Sequence, residues 1–273
     1  MGTDKPSRYA GQVVIVTGAS SGIGAATARG FAAEGARVAL TAPEREMPAL
    51  RALAGQLHSA GRICSVFPVD VTNAAQIADM VGHVREQWGR IDVLVNNAGV
   101  GYHGPFESMS LGDFEKVVQI NLLGAARCLY AVVPVMLGQK SGQIVNIASA
   151  HSRRAHPRYA AYSASKYALR GLSDVLRVEL APHGIAVLTY CPPYTESRFF
   201  DNVLHTVGQI KPKRAGATPE TVAEGIVEAA WRRKREVIAT PRERVLDWAN
   251  RCVPSLIDSL IARRYEAKLR NQL

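Results

Sequence analysis

Gln12-Val13-Val14-Ile15-Val16-Thr17-Gly18-Ala19-Ser20-Ser21-Gly22-Ile23-Gly24 runs from an apolar strand through a glycine-rich turn into a helix, and its reading decides the fold. Val13–Val16 is the short continuous apolar run that a strand buried on both faces requires. Glycine at 18 permits a tight turn, and glycine at 22 lets backbone approach a pyrophosphate. Glycine at 24 allows the following helix to pack closely on the strand. The helix that starts there points free N–H groups and the positive end of its dipole toward a phosphate. A structural turn also uses glycine, but a position after an apolar strand and before a helix favours phosphate binding.

The same alternation continues outward. Short apolar runs at Arg37–Thr41, Arg62–Pro68, Ile91–Asn96, Gly142–Ala148, Ile185–Cys191 and Glu236–Ala239 read as further strands. Helical patterns lie between them near Gly22–Glu34, Met47–Ala60, Ala74–Trp88, Leu111–Leu137, Tyr159–Ala181 and Thr218–Arg233. Strand–helix repetition with short connections implies right-handed crossovers and an α/β fold, a doubly wound parallel sheet of the Rossmann type. Residues 1–240 read as one domain and 241–273 as a short, basic, helical C-terminal extension. Ligands of such sheets bind beyond the carboxyl ends of the strands, near the point where strand order reverses. Glu196–Ala217 is long enough to serve as a lid.

The chain has 273 residues with 33 Lys+Arg against 23 Asp+Glu, a formal net charge of +10, and 47% apolar residues. That apolar content excludes disorder as the main state. The longest strictly apolar run, Cys128–Leu137, is ten residues and contains Pro134, short of the about 18 a membrane span needs. The first apolar run is too short for a secretory signal. Cys64, Cys128, Cys191 and Cys252 lack metal-ligand spacing and read as reduced thiols of a cytoplasmic protein. Lys211–Leu273 alone carries 14 Lys+Arg and 8 Asp+Glu, so most of the charge excess belongs to the tail and its neighbourhood.

Gly-x3-Gly-x-Gly after Thr17, Asn96-Asn97-Ala98-Gly99 after the fourth strand, and Ser149…Tyr162-Ser163-Ala164-Ser165-Lys166 after the fifth resemble the short-chain dehydrogenase/reductase family. The resemblance covers about Ala10 to Ala239 and implies an NAD(P)-dependent oxidoreductase. It implies that Gly18, Ser20, Ser21, Gly22, Ile23 and Gly24 hold the cofactor, together with Asn97, Ala98 and Gly99. Asp70-Val71 match the family's adenine contact, although Asp70 also fits a turn or cap before Thr72. At the end of the second strand, where an acidic residue would accept from the ribose hydroxyls, this chain has Ala42. NADP is therefore favoured over NAD. Arg45 reaches the extra phosphate if its loop folds back, or stands as a solvated helix-start residue. After the sixth strand Cys191-Pro192-Pro193-Tyr194-Thr195-Glu196-Ser197 departs from the family's Pro-Gly-x-x-x-Thr. Pro193 fixes φ and lacks an N–H, while Pro192, the Thr195 backbone and the Ser197 hydroxyl remain for the cofactor.

Tyr162 and Lys166 are four apart and share one helix face. A free phenol has a pKa near 10, and a nearby ammonium favours the phenolate. Tyr162 is thus the expected proton donor and acceptor, with Lys166 tuning it and gripping the nicotinamide ribose. Ser149 can hydrogen-bond the substrate oxygen at which charge changes. The resemblance adds Asn121, whose amide would distort the long fourth helix and hold a water that relays protons to Lys166. The expected reaction interconverts a secondary alcohol and a ketone, with a non-catalytic NAD(P)H-sensing protein on the same scaffold as the alternative.

Pocket walls are expected from 101–106 and from Ala150–Arg158, where Arg153, Arg154, Arg158, His151 and His156 offer attraction to an anion; otherwise the substrate is expected to be apolar. Tyr194, Phe199 and Phe200 supply apolar lid surface or merely anchor the loop. No histidine has a zinc partner set. In the tail, Val245, Leu246, Ala249, Cys252 and Val253 share a face, followed by Leu256, Ile257, Leu260 and Ile261. These stripes pack on the core, form a homodimer or homotetramer seam, or lie on an anionic membrane surface. Nucleic acid is not an expected partner, for lack of a binding module.

Overall fold

A computed structural model of the chain describes residues 7–196, 203–204 and 216–270. Seven parallel strands form one sheet: β1 Val13–Thr17, β2 Arg37–Ala42, β3 Cys64–Pro68, β4 Val93–Asn96, β5 Gly142–Ile147, β6 Ile185–Cys191 and β7 Glu236–Ile238. Their order is β3-β2-β1-β4-β5-β6-β7, so strand order reverses between β1 and β4. Val14, Val16, Val38 and Leu40 point to one face, under helices α1 (Gly22–Ala33), α2 (Met47–Ser59) and α7 (Pro219–Trp231). Val13, Ile15, Ala39 and Leu94 point to the other, under α3 (Ala74–Trp88), α5 (Ala125–Gln139) and α6 (Ala160–Leu180). The doubly wound sheet expected from the apolar runs is the observed architecture, with element ends differing by one or two residues.

The expected continuous helix Leu111–Leu137 is three pieces. α4 (Leu111–Val118) passes into a π-helical segment, Gln119–Gly124, before α5 begins. The whole of Leu111–Gln139 is long and apolar enough to cross a membrane by length and composition alone. Here α5 buries Cys128, Leu129, Val132 and Met136 against the sheet.

Beyond β7, α8 (Pro241–Cys252) and α9 (Pro254–Arg270) form the extension. The apolar stripes read from the sequence are divided between two directions. Leu246 and Ala249 turn inward and Ile257 is buried, whereas Val245, Trp248, Val253, Leu256 and Leu260 are exposed.

Met136 is fully buried, and a Cβ at Gly142 would lie 2.5 Å from its Sδ. Met136→Ala should therefore cost about 2–5 kcal/mol and Gly142→Ala about 1–3 kcal/mol through overpacking. Because the two compete for one space, the double variant should lose less than the sum in urea unfolding; strict additivity would refute the shared space.

Candidate active site

The carboxyl ends of β1, β4, β5 and β6 open onto one cleft whose far wall is α8. At its phosphate end, Gly18 has φ +65° and Gly22 φ +54°, conformations that side chains with a Cβ resist. A Cβ at Gly24 would stand 2.1 Å from the Gly18 carbonyl oxygen, so only hydrogen fits there. Ser21, at the N-cap of α1, makes no capping hydrogen bond. By contrast, Asn73, Ser110, Thr218 and Thr240 cap α3, α4, α7 and α8. The first-turn N–H groups of α1 are thus left for a ligand. This cradle fits the diphosphate of a nicotinamide dinucleotide.

The side chain of Asn97 supports the cradle from behind. Its Nδ2 donates to the Thr17 carbonyl at 2.9 Å and to that of Gly18 at 3.1 Å. The backbone N–H groups of Asn97 and Ala98 both donate to Thr17 Oγ1, at 2.9 and 3.0 Å. Thr17 therefore joins the ends of β1 and β4. Ile23 and Ala98 line the cleft beside this strut, and Gly99 sits against the Asn121 amide.

At the adenosine end, Ala42 is buried and leaves β2 without an acid, as read from the sequence. Sequence reasoning missed Glu46, whose carboxylate accepts from the Ser20 hydroxyl and pairs with Arg45 at 3.3 Å. Arg45 is exposed and held by this neighbour. The signal for Glu46 was an acidic residue just before a helix whose N-terminus faces a phosphate turn. Asp70 Oδ1 accepts from the Thr72 N–H at 2.9 Å and its hydroxyl at 2.8 Å, the turn considered as its other role. Its second oxygen has no hydrogen bond among the described residues. Val71 is buried against Gly124.

Ser149, two residues past β5, hydrogen-bonds Tyr162 and accepts from the His151 N–H at 3.1 Å. One turn along α6 from Tyr162, Lys166 is buried and donates to the Ile147 carbonyl at 2.8 Å. Its Nζ lies 5.9 Å from the centre of the Tyr162 ring. Asn121, inside the π segment, accepts from the Val100 N–H at 2.8 Å and donates to the Val100 carbonyl at 2.9 Å and to Ser165 Oγ at 3.1 Å. Ser165 passes the chain on to the Tyr162 carbonyl at 2.8 Å. The four expected residues are thus brought together, with Ser165 as a link the sequence did not announce. The helix distortion expected at Asn121 is present. Its side-chain amide, however, is engaged with Val100 and Ser165, so it has only a second Oδ1 lone pair left for a water.

Burial sets the electrostatics of the site. Burial pushes the Tyr162 phenol up to about 12, the Ser149 hydrogen bond pulling against it. Burial likewise brings the Lys166 ammonium down to about 8. Both shifts have the same cause, since desolvation penalises the charged form of each group. Burial, with His156 nearby, lowers His151 to about 3, so it is neutral at ordinary pH. Its ring lies 4.6 Å from Tyr159 and 5.6 Å from Tyr162, and Tyr159 in turn is 4.8 Å from His103.

Of the residues expected to attract an anion there, Arg158 lines the cleft without a salt bridge among the described residues, His151 is neutral, and Arg153 and Arg154 are paired. Arg153 is buried and pairs with Glu236 and, at 3.8 Å, with Asp247. Arg154 pairs with Asp258 at 2.5 Å. On the opposite side, Pro192 and Tyr194 line the cleft. Thr195 is buried, its hydroxyl donating to the Pro193 carbonyl at 2.9 Å. Ser197, Phe199 and Phe200 lie outside the described residues.

Residues 12–207 match the family model described as short chain dehydrogenase. A D-threitol dehydrogenase of Mycolicibacterium smegmatis is 40% identical over 70% of this chain and 73% of its own length. A metagenomic short-chain oxidoreductase solved in complex with NADP is 33% identical, with TM-score 0.71 over 86% of this chain and 99% of the other. A short chain dehydrogenase/reductase from Burkholderia phymatum, solved with NAD, is 26% identical with TM-score 0.80, covering 91% and 96%.

Proposed function

The chain belongs to the short chain dehydrogenase family, and from that premise we propose that it interconverts a secondary alcohol and a ketone, with Tyr162 as the acid and base. The observation that carries this reading is the Ser149–Tyr162 hydrogen bond, one helical turn from Lys166 and beside the glycine cradle. A bound nicotinamide supplies or takes up the hydride. The chain's own residues do the rest. Tyr162 holds its proton at neutral pH and gives it to the carbonyl oxygen on reduction. Ser149 Oγ donates to the same oxygen as negative charge develops. Lys166, carrying its proton below about pH 8, stabilises the phenolate left behind. His151 and Tyr159 exclude water without adding charge. Tyr102, Leu204 and Ile261 line the cleft beyond them and favour an apolar substrate.

NADP is the proposed preferred cofactor. Ala42 presents no acid to the 2′-phosphate, while Ser20 and Arg45 lie within the same end of the cleft. The Glu46 carboxylate opposes that preference and is offset by Arg45. We place the enzyme in the cytoplasm, a reading supported by the free cysteines of the described residues. A homo-oligomeric state is supported by exposed Tyr130 on α5 and Val175 and Val178 on α6. Trp248 (67% exposed) and Leu256, with Arg244, Arg251 and Arg263 nearby in sequence, suit α8 and α9 to the surface of an anionic membrane.

Tyr162→Phe should lower turnover by at least a hundredfold in a panel of ketones and alcohols read by NADPH absorbance, while NADPH binding stays within twofold. Residual activity above a few per cent sinks the assignment. A wild-type protein that binds NADPH and never oxidises it is instead a sensor. Glu46→Gln should raise the affinity for NADPH relative to NADH about tenfold, the effect of removing one like-charge contact of about 1.4 kcal/mol. An unchanged ratio in fluorescence titration removes Glu46 from cofactor choice. In flotation with anionic vesicles, Trp248→Glu/Leu256→Glu should abolish any co-migration of the wild type. Wild-type protein that stays at the bottom rejects the membrane reading.

A further inference from the structure

The structure assigns to Arg153 the part of a positioning residue, through which the C-terminal extension holds the turn that carries Ser149. The assignment rests on the proposed role of Ser149 and extends the working site to residues of the tail.

Arg153 lies in a basic, polar stretch, yet its side chain is only 4% exposed. Its guanidinium faces Glu236 of β7 and Asp247 of α8. Arg170 of α6 also pairs with Glu236, at 3.4 Å, and Arg251 with Asp247, at 2.7 Å. The guanidinium also lies near the thiol of Cys191 at the end of β6, the residue before Pro192. A strand and a helix beside the cleft, β7 and α8, therefore meet on one side chain.

The link from Arg153 to Ser149 is short and rigid. Ser149 to Arg153 form one tight turn: the Ser152 N–H and hydroxyl donate to the Ser149 carbonyl at 2.9 and 2.6 Å. The Arg153 N–H donates to the Ala150 carbonyl at 3.0 Å, and the His151 N–H to Ser149 Oγ at 3.1 Å. The hydroxyl that binds Tyr162 is thus fixed from its own turn, whose far end Arg153 nails to β7 and α8. Arg154 repeats the attachment, donating to Asn250 at 2.9 Å beside its pair with Asp258. A guanidinium suits this place because it stays charged and offers several donors in a fixed plane. A buried charge that loses one partner pulls toward another or toward water, and the turn would move with it.

Removing Arg153 risks the fold by leaving two carboxylates facing each other, so the test takes one charge from the tail. In the full-length protein with NADPH bound, Asp247→Asn should speed amide exchange at His151, Ser152 and Arg153 about tenfold. The sheet amides of Val95 and Val145 should stay unchanged. With a ketone found active for the wild type, kcat should fall about tenfold, while KM and NADPH affinity remain within twofold. Asp247→Glu should restore both readouts. Unchanged exchange at the three amides overturns the anchoring, and so does a uniform rise that includes the sheet. Faster exchange with unchanged kcat overturns the positioning role. A wild type inactive toward every carbonyl overturns the proposed function instead, and the exchange arm still decides the anchoring.

Discussion

The hydrogen bonds between Thr17 and the Asn97–Ala98 backbone hold together the two strand ends on which everything else depends. β1 and β4 are neighbours in the sheet, but the chain leaves them toward opposite faces. A gap opens where the two paths part, and Thr17 Oγ1 with the Asn97 amide closes its floor while leaving its rim free. The tight glycine turn, the uncapped N-terminus of α1 and the placement of Gly99 against Asn121 all rest on that floor. The site is therefore less an addition to the fold than the place where the fold's two halves separate.

What the sequence disclosed and what it hid follow different physics. Burial on both faces forces β-strands into unbroken apolar runs, so sheet, order of elements and glycine cradle were legible. The nearness of Tyr162, Lys166 and Ser149 was legible because a spacing of four puts two of them on one helix face and the third follows a strand end. Glu46, Ser165 and the aromatic wall were not, since nothing local distinguishes them; they matter through partners 26, 44 and 8 residues away in Ser20, Asn121 and Tyr159. The arginines after Ser149 show the converse. Their sequence suggests free positive charge, but the carboxylates that pair with Arg153 and Arg154 lie in β7, α8 and α9, out of reach of any local reading.

Desolvation dominates the titrating groups of the cleft. It raises Tyr162, lowers Lys166 and keeps His151 neutral, each shift favouring the uncharged form. A pocket arranged in this way leaves Tyr162 and His151 uncharged at neutral pH beside a Lys166 that still carries its proton. It strengthens any charge that chemistry creates inside it, because few mobile dipoles remain to screen it.

The π-helical segment Gln119–Gly124 has a consequence for how this helix can change over time. Wider winding accommodates about one extra residue without lengthening the rod by a full step. Deleting one residue there would allow regular winding to resume with the turns on either side still in phase, whereas the same deletion in α4 or α5 would rotate all that follows by about 100°. After a deletion in the bulge, Cys128, Val132 and Met136 would keep facing the sheet, while Asn121 lost its distorted backbone. The segment is the one place between 111 and 139 where a single residue can be gained or lost while the phase of both ends is kept.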